Sequence, residues 1–403
     1  MKQKGIFLVI VILLLLTACG QGSRLPSDEL NIMCEKYEAK IFGELYFAHD
    51  GMKPNCIAPE YDTVSMSEWK DKRNLYLMSR SPDVDIYLLH STDADAYKII
   101  QDCFYVDQGQ DEEIAKCFNA MPPEIQAWCT RDGEVFGFPS EIDFPMHIFA
   151  EPNMIYDAGY RLTDIGTIDG FLDFCGRWTD GSVYAAAQTD KSPTGHLLKV
   201  RDYYLNYMYA HYNRADGSLN FDTPVFRHIL TQCRELYLHE ELFKADPGDY
   251  FVVSEITNAN APLFLNCFQI LPRNKDYRPV TYPKLEGEDT DAGRYVDICW
   301  LIVNPAGRHI EEAMAYMRRW AKLLETELII IHYDDSYDVS MDRLNTIGSF
   351  LGEHDVAYGF PADQAVFDIF DRYVYDGSIE LDEAIAEAQR IFDIARQEQY
   401  IGK

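Results

Sequence analysis

The chain has 403 residues, of which 47% are apolar and 25% are charged, a composition typical of globular proteins with ample hydrophobic core. At roughly 150 residues per domain, this length predicts two to three domains. The formal net charge of −30 argues against nucleic acid and anionic lipid surfaces as partners, because each phosphate contact requires a lysine or an arginine.

The amino terminus has the pattern of a secretion signal. Lys2 and Lys4 precede an unbroken apolar run over residues 6–16, which is too short to span a hydrocarbon core of roughly 30 Å. The run ends in Leu-Thr-Ala before Cys19, which resembles a bacterial lipobox, although an ordinary secretory signal remains the alternative. We therefore predict a signal peptide over residues 1–18, and a lipid-anchored, acylated Cys19 on the extracytoplasmic face of the cell membrane. Residues 19–27 then form a flexible tether.

The first third of the chain has the alternating pattern of an α/β unit. One strand, at 84–89, is apolar enough to be buried on both faces, as in a parallel sheet, and residues 34–60 show no regular pattern. The other predicted elements are a strand at 30–33 and helices at 67–79, near 94–102 and near 112–130.

The segment Arg131–Ser140 divides the chain. Asp132-Gly133 is a strong turn dipeptide, and the aromatic and β-branched run after it ends at Pro139. This pattern predicts a short hairpin that leads into an extended segment. Because an α/β pattern lies on either side, we interpret the segment as the first crossing between two lobes that face each other over a cleft.

The remaining two thirds of the chain again alternate between helices and strands. Thr223 as N-cap with Pro224 in the first helical turn is a clear helix start. The predicted helices are at 153–159, 163–178, 195–212, 224–237, 310–324, 361–375 and 381–397, and the predicted strands are at 182–188, 250–253, 263–271 and 296–304, with an irregular connection over 272–293.

Several segments together resemble a known family of proteins. They are Ser81–Val84, Gly133–Pro139, Asp157–Gly159, Thr167–Leu172, Phe221–Phe226, Ile298–Asn304 with Glu311–Ala313, and Asp382–Ile385. In this order and behind a lipobox, they resemble the extracellular solute-binding lipoproteins of bacterial ABC importers, of the maltose-binding-protein-like family 1 type.

The resemblance implies an α/β, two-lobed type II periplasmic-binding fold, in which a ligand cleft lies between lobes joined by extended hinges. Lobe one would comprise residues 28–140 and 295–330, and lobe two would comprise residues 141–294 and 331–403. The hinges are expected near 138–144 and 294–297. The implied function is capture of a small polar solute, with a sugar or oligosaccharide favoured, and its delivery to membrane permease subunits by a monomeric protein.

Candidate ligand contacts follow from this topology. Ligands of open α/β sheets bind beyond the carboxyl ends of strands, where the predicted strand at 84–89 is followed by His90, Ser91 and Thr92. Other candidates follow the crossover and the strands of lobe two, and the resemblance supports those next to the crossover. They are Glu141, Asp143, Gln188, Asp190, Asp249 and Tyr250.

The sequence lacks the signatures of common enzymes and metal sites. It contains no GxSxG, HExxH, GxGxxG or Walker A motif, and no CxxC pair. We therefore expect no catalytic residue, cofactor or bound metal. Nine cysteines besides Cys19 lie mostly in apolar runs, and the pairs that we consider for a disulfide are Cys34 with Cys56 and Cys103 with Cys117. A lipid-anchored extracellular hydrolase and a sensor or adhesion lipoprotein that retains the fold are the alternatives.

Overall fold

In a computed structural model, the structure describes residues 28–35, 39, 52–58, 66–143, 147–167, 170, 173–174, 186–188, 200–238, 263–266, 278–280, 295–326, 328–330, 337–339 and 355–400. The chain divides into two compact units. The first comprises Met1–Leu88, Phe104–Val106 and Ile302–Met317, and the second comprises Leu89–Cys103, Asp107–Leu301 and Arg318–Lys403. The division into lobes at residues 140, 294 and 330 stays a prediction.

Helices and strands alternate along the described part of the chain. In order they are β1 (Leu30–Met33), β2 (Pro54–Ile57), α1 (Met66–Met78), β3 (Ile86–His90), α2 (Ala96–Gln101), α3 (Glu112–Asn119), α4 (Pro123–Trp128), β4 (Thr130–Arg131), β5 (Glu134–Val135), β6 (Phe138–Asp143), β7 (His147–Ala150), α5 (Pro152–Asp157), β8 (Ala186–Gln188), α6 (Val200–His211), α7 (Pro224–Leu238), β9 (Leu263–Asn266), β10 (Arg278–Val280), β11 (Tyr295–Val303), α8 (Ile310–Thr326), β12 (Leu328–Ile330), β13 (Tyr337–Val339), β14 (Asp355–Val356), α9 (Asp363–Asp371) and α10 (Leu381–Tyr400).

The first unit is built on β1, which pairs in parallel with β2 and with the start of β3. β1 and β3 are largely apolar and buried, as the predicted parallel sheet requires, whereas β2 is half-buried. Next to β3, the buried Asp85 carboxylate accepts hydrogen bonds from the backbone N–H groups of Asn31, at 2.9 Å, and His309, at 3.0 Å. One carboxylate therefore joins β1 to the residue that precedes α8.

In the second unit, β11 pairs in parallel with β14 and antiparallel with β6. The β6 register shifts between Cys299 and Trp300, because Cys299 lies opposite Glu141 whereas Trp300 lies opposite Pro139. Ser140 is thus the extra residue of β6, and its hydroxyl donates to the Cys299 carbonyl oxygen at 3.2 Å. A second sheet has the order β10-β7-β9-β8.

An aromatic core holds the helices of the second unit together. Phe221, Phe226, Phe370 and Phe392 are fully buried, and the rings of Phe221 and Phe370 meet edge to face with centroids 5.3 Å apart. Such edge-to-face pairs stabilise a core by roughly 0.5–1.5 kcal/mol beyond their buried area. The Thr223 hydroxyl caps α7 by accepting from the backbone N–H of Phe226 at 3.1 Å, which confirms the predicted helix start.

Most predicted elements that lie in the described residues are confirmed, with three corrections. The helix expected over 112–130 is two helices, α3 and α4, because Pro122 and Pro123 interrupt it. The irregular stretch 34–60 contains β2, and the irregular connection 272–293 contains β10. The strand predicted at 250–253 lies outside the described residues, as does half of the helix predicted at 163–178.

The predicted hairpin is present: β4 and β5 pair antiparallel around Asp132 and Gly133, both with positive φ. None of the cysteines in the described ranges forms a disulfide, including the two candidate pairs, Cys34 with Cys56 and Cys103 with Cys117. Within the same ranges, no helix has the length and apolarity needed to cross a bilayer.

Candidate functional site

Polar side chains cluster in the second unit at the carboxyl end of β3, the strand end at which the sequence predicts ligand contacts. His90 is the last residue of β3, and Ser91 and Thr92 follow it. The backbone N–H of Ser91 donates to the Ile298 carbonyl oxygen at 2.8 Å, which places this strand end beside β11. The three candidates therefore lie next to Asp297.

Asp297 accepts from the hydroxyl groups of Ser91 and Thr92 and faces the imidazole ring of His90. The Ser91 hydroxyl donates to its Oδ1 and the Thr92 hydroxyl to its Oδ2, each at 2.9 Å, and His90 Nδ1 lies 3.4 Å from Oδ2. The Asp297 side chain keeps 26% of its surface exposed. A partly exposed carboxylate held by rotatable hydroxyl groups can exchange partners with the hydroxyl groups of a ligand.

The surroundings of Asp297 keep it ionised. Burial acts to raise the pKa of this carboxyl group, but the hydrogen bonds and charge of His90 and the hydroxyl groups of Ser91 and Thr92 outweigh it, so the pKa is lowered. At neutral pH the site therefore presents a negative hydrogen-bond acceptor.

Cys299 and His90 lie close enough to suggest a thiol nucleophile, but their geometry does not match that chemistry. The Cys299 sulfur is 2.9 Å from His90 Nδ1, the ring nitrogen that also faces Asp297, and 3.5 Å from Nε2. In a nucleophile-base-acid arrangement the acid and the nucleophile contact opposite ring nitrogens, whereas here both make their shorter contact with Nδ1. Burial also raises the pKa of the Cys299 thiol well above its ordinary value, which disfavours the thiolate. Both observations disfavour Cys299 as a nucleophile.

Two further candidates lie on the strand that pairs with β11. Glu141 is opposite Cys299 and Asp143 is opposite Asp297 in the β6–β11 register. Directly opposed residues project from the same face of a sheet, so Glu141 shares a face with Cys299. The structure thus brings the candidates that follow β3 and those that follow the crossover to the same strand, β11.

A tight backbone contact fixes the other side of the strand end. The backbone N–H of Gly359, beyond β14, donates to the Ser91 carbonyl oxygen at 3.0 Å. A Cβ atom on Gly359 would lie 2.1 Å from the Thr92 carbonyl oxygen, so this position accepts only glycine without movement of the backbone. Residues 357–360 and 90–93 are therefore held in one fixed arrangement.

The remaining candidates are apart from this cluster or outside the described residues. Gln188 ends β8, where it pairs with Leu265 of β9. Asp190, Asp249, Tyr250 and the predicted lipidation residue Cys19 lie outside the described ranges. In those ranges, no group of three or more histidine, cysteine, aspartate or glutamate residues could hold a metal ion.

Sequence reasoning did not single out Asp297 as the centre of the site. The signal was present, because a carboxylate inside the apolar run of β11 must find hydrogen-bond donors when the strand is buried. Which donors it finds depends on residues about 200 positions earlier in the chain.

No protein-family model matches the chain, and no curated protein does. Solved structures do match it. A structure from work on xylan utilization by the thermophilic bacterium Caldanaerobius polysaccharolyticus has a TM-score of 0.56 at 12% identity, covering 90% of this chain and 99% of that chain.

Two other structures match over a similar extent. Maltose-bound MalE3 of T. maritima has a TM-score of 0.55 at 12% identity, covering 91% of this chain and 99% of that chain. An ABC transporter solute-binding protein from Agrobacterium vitis S4 with bound D-mannitol has a TM-score of 0.56 at 12% identity, covering 92% and 98%. The chain therefore has the two-lobed α/β fold of the periplasmic solute-binding proteins, as the sequence resemblance implied.

Proposed function

We propose that this protein is the substrate-binding lipoprotein of an ABC import system, which captures a sugar or oligosaccharide between its lobes and delivers it to a membrane permease. The observation that carries the proposal is the fold match over at least 90% of this chain to three structures, two of which contain maltose or D-mannitol. A fold alone hosts many functions, so the site must supply the rest of the argument.

The Asp297 cluster supplies groups of the right chemistry for a polyhydroxylated solute. Sugar hydroxyl groups donate to carboxylates and accept from hydroxyl and imidazole groups, and the cluster contains all three within one contact shell. We infer that Asp297 belongs to the ligand contacts. The sequence-derived contacts retained in this proposal are His90, Ser91, Thr92, Glu141, Asp143, Gln188, Asp190, Asp249 and Tyr250.

The proposal also includes a lipid anchor at Cys19 and closure of the two lobes. Acylated Cys19 would tether the protein to the extracytoplasmic face of the membrane, with residues 19–27 as the spacer. The pairing of β6 with the start of β11 supports two adjacent hinge strands, because the segments expected near 138–144 and 294–297 include residues of both. Closure about them would bring the lobes onto the solute.

Thermal unfolding with a panel of neutral and acidic mono- and oligosaccharides tests the binding function. A ligand at 100 times its Kd stabilises the folded state by about 2.7 kcal/mol, so at least one saccharide should raise the Tm clearly. Asp297→Asn should reduce that shift, whereas Asp382→Asn, at an exposed position of α10, should not. A panel in which no saccharide shifts the Tm would refute the proposed solute class.

Membrane fractionation tests the anchor. The wild-type chain should partition with membranes and incorporate labelled fatty acid, and Cys19→Ser should abolish both. A Cys19→Ser chain that is still acylated would exclude Cys19 as the lipidated residue.

A further inference from the structure

A turn that follows α6 presents a single arginine, Arg214. The backbone N–H of Asn213 donates to the Ser218 carbonyl oxygen at 2.9 Å, and the backbone N–H of Gly217 donates to the Asn213 carbonyl oxygen at 2.7 Å. These two hydrogen bonds join the two ends of the turn. Asp216, the nearest carboxylate in sequence, accepts from the backbone N–H of Ser218 at 2.9 Å. The turn therefore holds Arg214 in place while its own acidic residue has another partner.

The Arg214 guanidinium group lies over two tyrosine rings of the same unit. Its central carbon is 4.4 Å from the ring centroid of Tyr358 and 5.3 Å from that of Tyr97. The two rings meet edge to face with centroids 5.4 Å apart. A guanidinium group over an aromatic ring is attracted by the electron-rich face of the ring, and this contact leaves its N–H groups available as hydrogen-bond donors.

None of these three side chains has a hydrogen-bond acceptor among the described residues, as each makes only ring contacts there. Arg318 and Arg201, two other partly buried arginines, each pair with a carboxylate, and Arg318 is 2.5 Å from Asp111. In a chain with 66 acidic and 36 basic residues, possible acidic partners for an arginine are plentiful.

The group formed by Arg214, Tyr97 and Tyr358 is connected to the Asp297 site through the backbone. Tyr358 directly precedes Gly359, whose N–H donates to Ser91, and Tyr97 lies in α2, which starts shortly after Thr92. Tyr358 also packs on Trp300, three residues after Asp297, with ring centroids 6.2 Å apart. The donors of Arg214 and the acceptor of Asp297 thus lie on neighbouring segments of one unit.

We propose that Arg214, with the hydroxyl groups of Tyr97 and Tyr358, is a subsite for a carboxylate group, and that the solute is a saccharide containing a uronic acid. The guanidinium group and the two phenolic hydroxyl groups can all donate, they have no acceptor among the described residues, and a carboxylate is a ligand group that only accepts. The planar fork of a guanidinium group matches a carboxylate with two parallel hydrogen bonds. This inference rests on the proposed saccharide-binding function and specifies its substrate class.

Isothermal titration of the full chain in detergent tests the subsite. The probes are oligogalacturonides and oligoglucuronides, each compared with the neutral oligosaccharide of the same length. A charge-assisted pair is typically worth a tenfold to hundredfold change in affinity, so an acidic member should bind at least about tenfold more tightly than its neutral counterpart. Arg214→Gln should remove that preference and leave neutral binding unchanged.

Two control variants make the test specific. Arg227→Gln removes an arginine of α7 that pairs with Asp222 and Asp382, and it should change neither affinity. Arg214→Lys keeps the charge but loses the fork, and it should retain part of the preference. If Arg214→Gln fails to fold, Tyr97→Phe and Tyr358→Phe, which remove only hydroxyl groups, should each weaken acidic ligands alone by a few fold.

The outcomes separate this subsite from the proposed function. Neutral saccharides that bind as tightly as acidic ones, with no effect of Arg214→Gln, would overturn the subsite and leave saccharide binding standing. A sulfated saccharide that binds where uronides do not would overturn the carboxylate assignment. Absence of binding by every saccharide, neutral or acidic, would overturn the proposed function and the subsite together.

Discussion

Asp85 and Asp297 are two aspartates that each face a histidine, one in each unit, yet their environments differ. Asp85 accepts from two backbone N–H groups and faces His309 Nδ1 at 3.3 Å, and only 1% of its side chain is exposed. Asp297 accepts mainly from side-chain hydroxyl groups and is 26% exposed.

The two aspartates differ in whether their hydrogen-bond donors can move. The backbone N–H groups of Asn31 and His309 cannot turn away from Asp85 without local unfolding. Asp85 therefore stabilises the folded structure. The Thr92 hydroxyl group rotates about a single bond on a partly exposed residue, so it can turn towards a ligand at little cost, whereas the buried Ser91 hydroxyl also accepts from the Ile298 N–H at 3.1 Å. A buried carboxylate with backbone donors is therefore a structural group, and a partly exposed one with side-chain donors is a candidate binding group.

The largest expected effect is on the stability of Asp85→Ala. The substitution leaves the backbone N–H groups of Asn31 and His309 without an acceptor in a buried place, at about 1–3 kcal/mol each. We expect a loss of about 4 kcal/mol in the free energy of unfolding, measured by chemical denaturation. Asp297→Ala is the matched control and should lose less than half as much, and equal losses would contradict the distinction between the two aspartates.

Gly359→Ala should have the next largest effect. The new Cβ would overlap backbone atoms of Thr92 and Asp93, at 2.1–2.7 Å, where no flexible side chain can move aside. Overpacking of this kind costs about 3 kcal/mol or less, and thermal unfolding would measure it. Gly133→Ala is the control, because that site has open space and only a positive φ, and it should cost about 1 kcal/mol.

Asp297→Asn should weaken binding more than it weakens the fold. Replacing a charged acceptor by a neutral amide removes a charge-assisted hydrogen bond to the ligand, worth about 1.5–3 kcal/mol, or roughly tenfold or more in Kd. Titration calorimetry with the saccharide found by thermal shift would measure it. An unchanged Kd would remove Asp297 from the ligand contacts.

The smallest expected effect of Asp297→Asn is on the loss of folding stability at acidic pH. The pKa of Asp297 is lowered in the folded state, so its contribution to stability is complete above the unfolded value of about 3.9 and is lost as pH falls through the folded pKa. Wild type should therefore lose more stability than Asp297→Asn between pH 5 and pH 2. Asp111 and Asp216, whose pKa values are also lowered, are common to both proteins and cancel. If stability falls with pH equally in wild type and Asp297→Asn, the contacts of Asp297 with His90, Ser91 and Thr92 do not stabilise the folded state.

Local signals in the sequence predicted the fold well where the structure depends on local chemistry. Asp132-Gly133 gives a hairpin because both residues accept positive φ, and Thr223-Pro224 starts a helix because one side chain caps it. The proline pair that separates α3 from α4 was also a local signal, and it should have ended the predicted helix. By contrast, β2 was missed because a strand of Pro-Asn-Cys-Ile is held by its pairing with β1 and not by its own propensity.

The site was predictable only in part. The position of His90, Ser91 and Thr92 followed from the rule that strand ends carry ligands. Their shared partner Asp297 and the stack of Arg214 on Tyr358 join residues that are far apart in sequence, and no pattern within a single segment encodes either contact.

The extra residue in β6 has a consequence for how this protein can evolve. Because Ser140 is the extra residue between two paired flanks, loss of its codon would remove the bulge and leave Pro139 opposite Trp300 and Glu141 opposite Cys299. Loss of a paired residue such as Ile142 would instead move Asp143 out of register and turn it to the opposite surface of the strand, so deletions in β6 should be tolerated at Ser140 and selected against elsewhere.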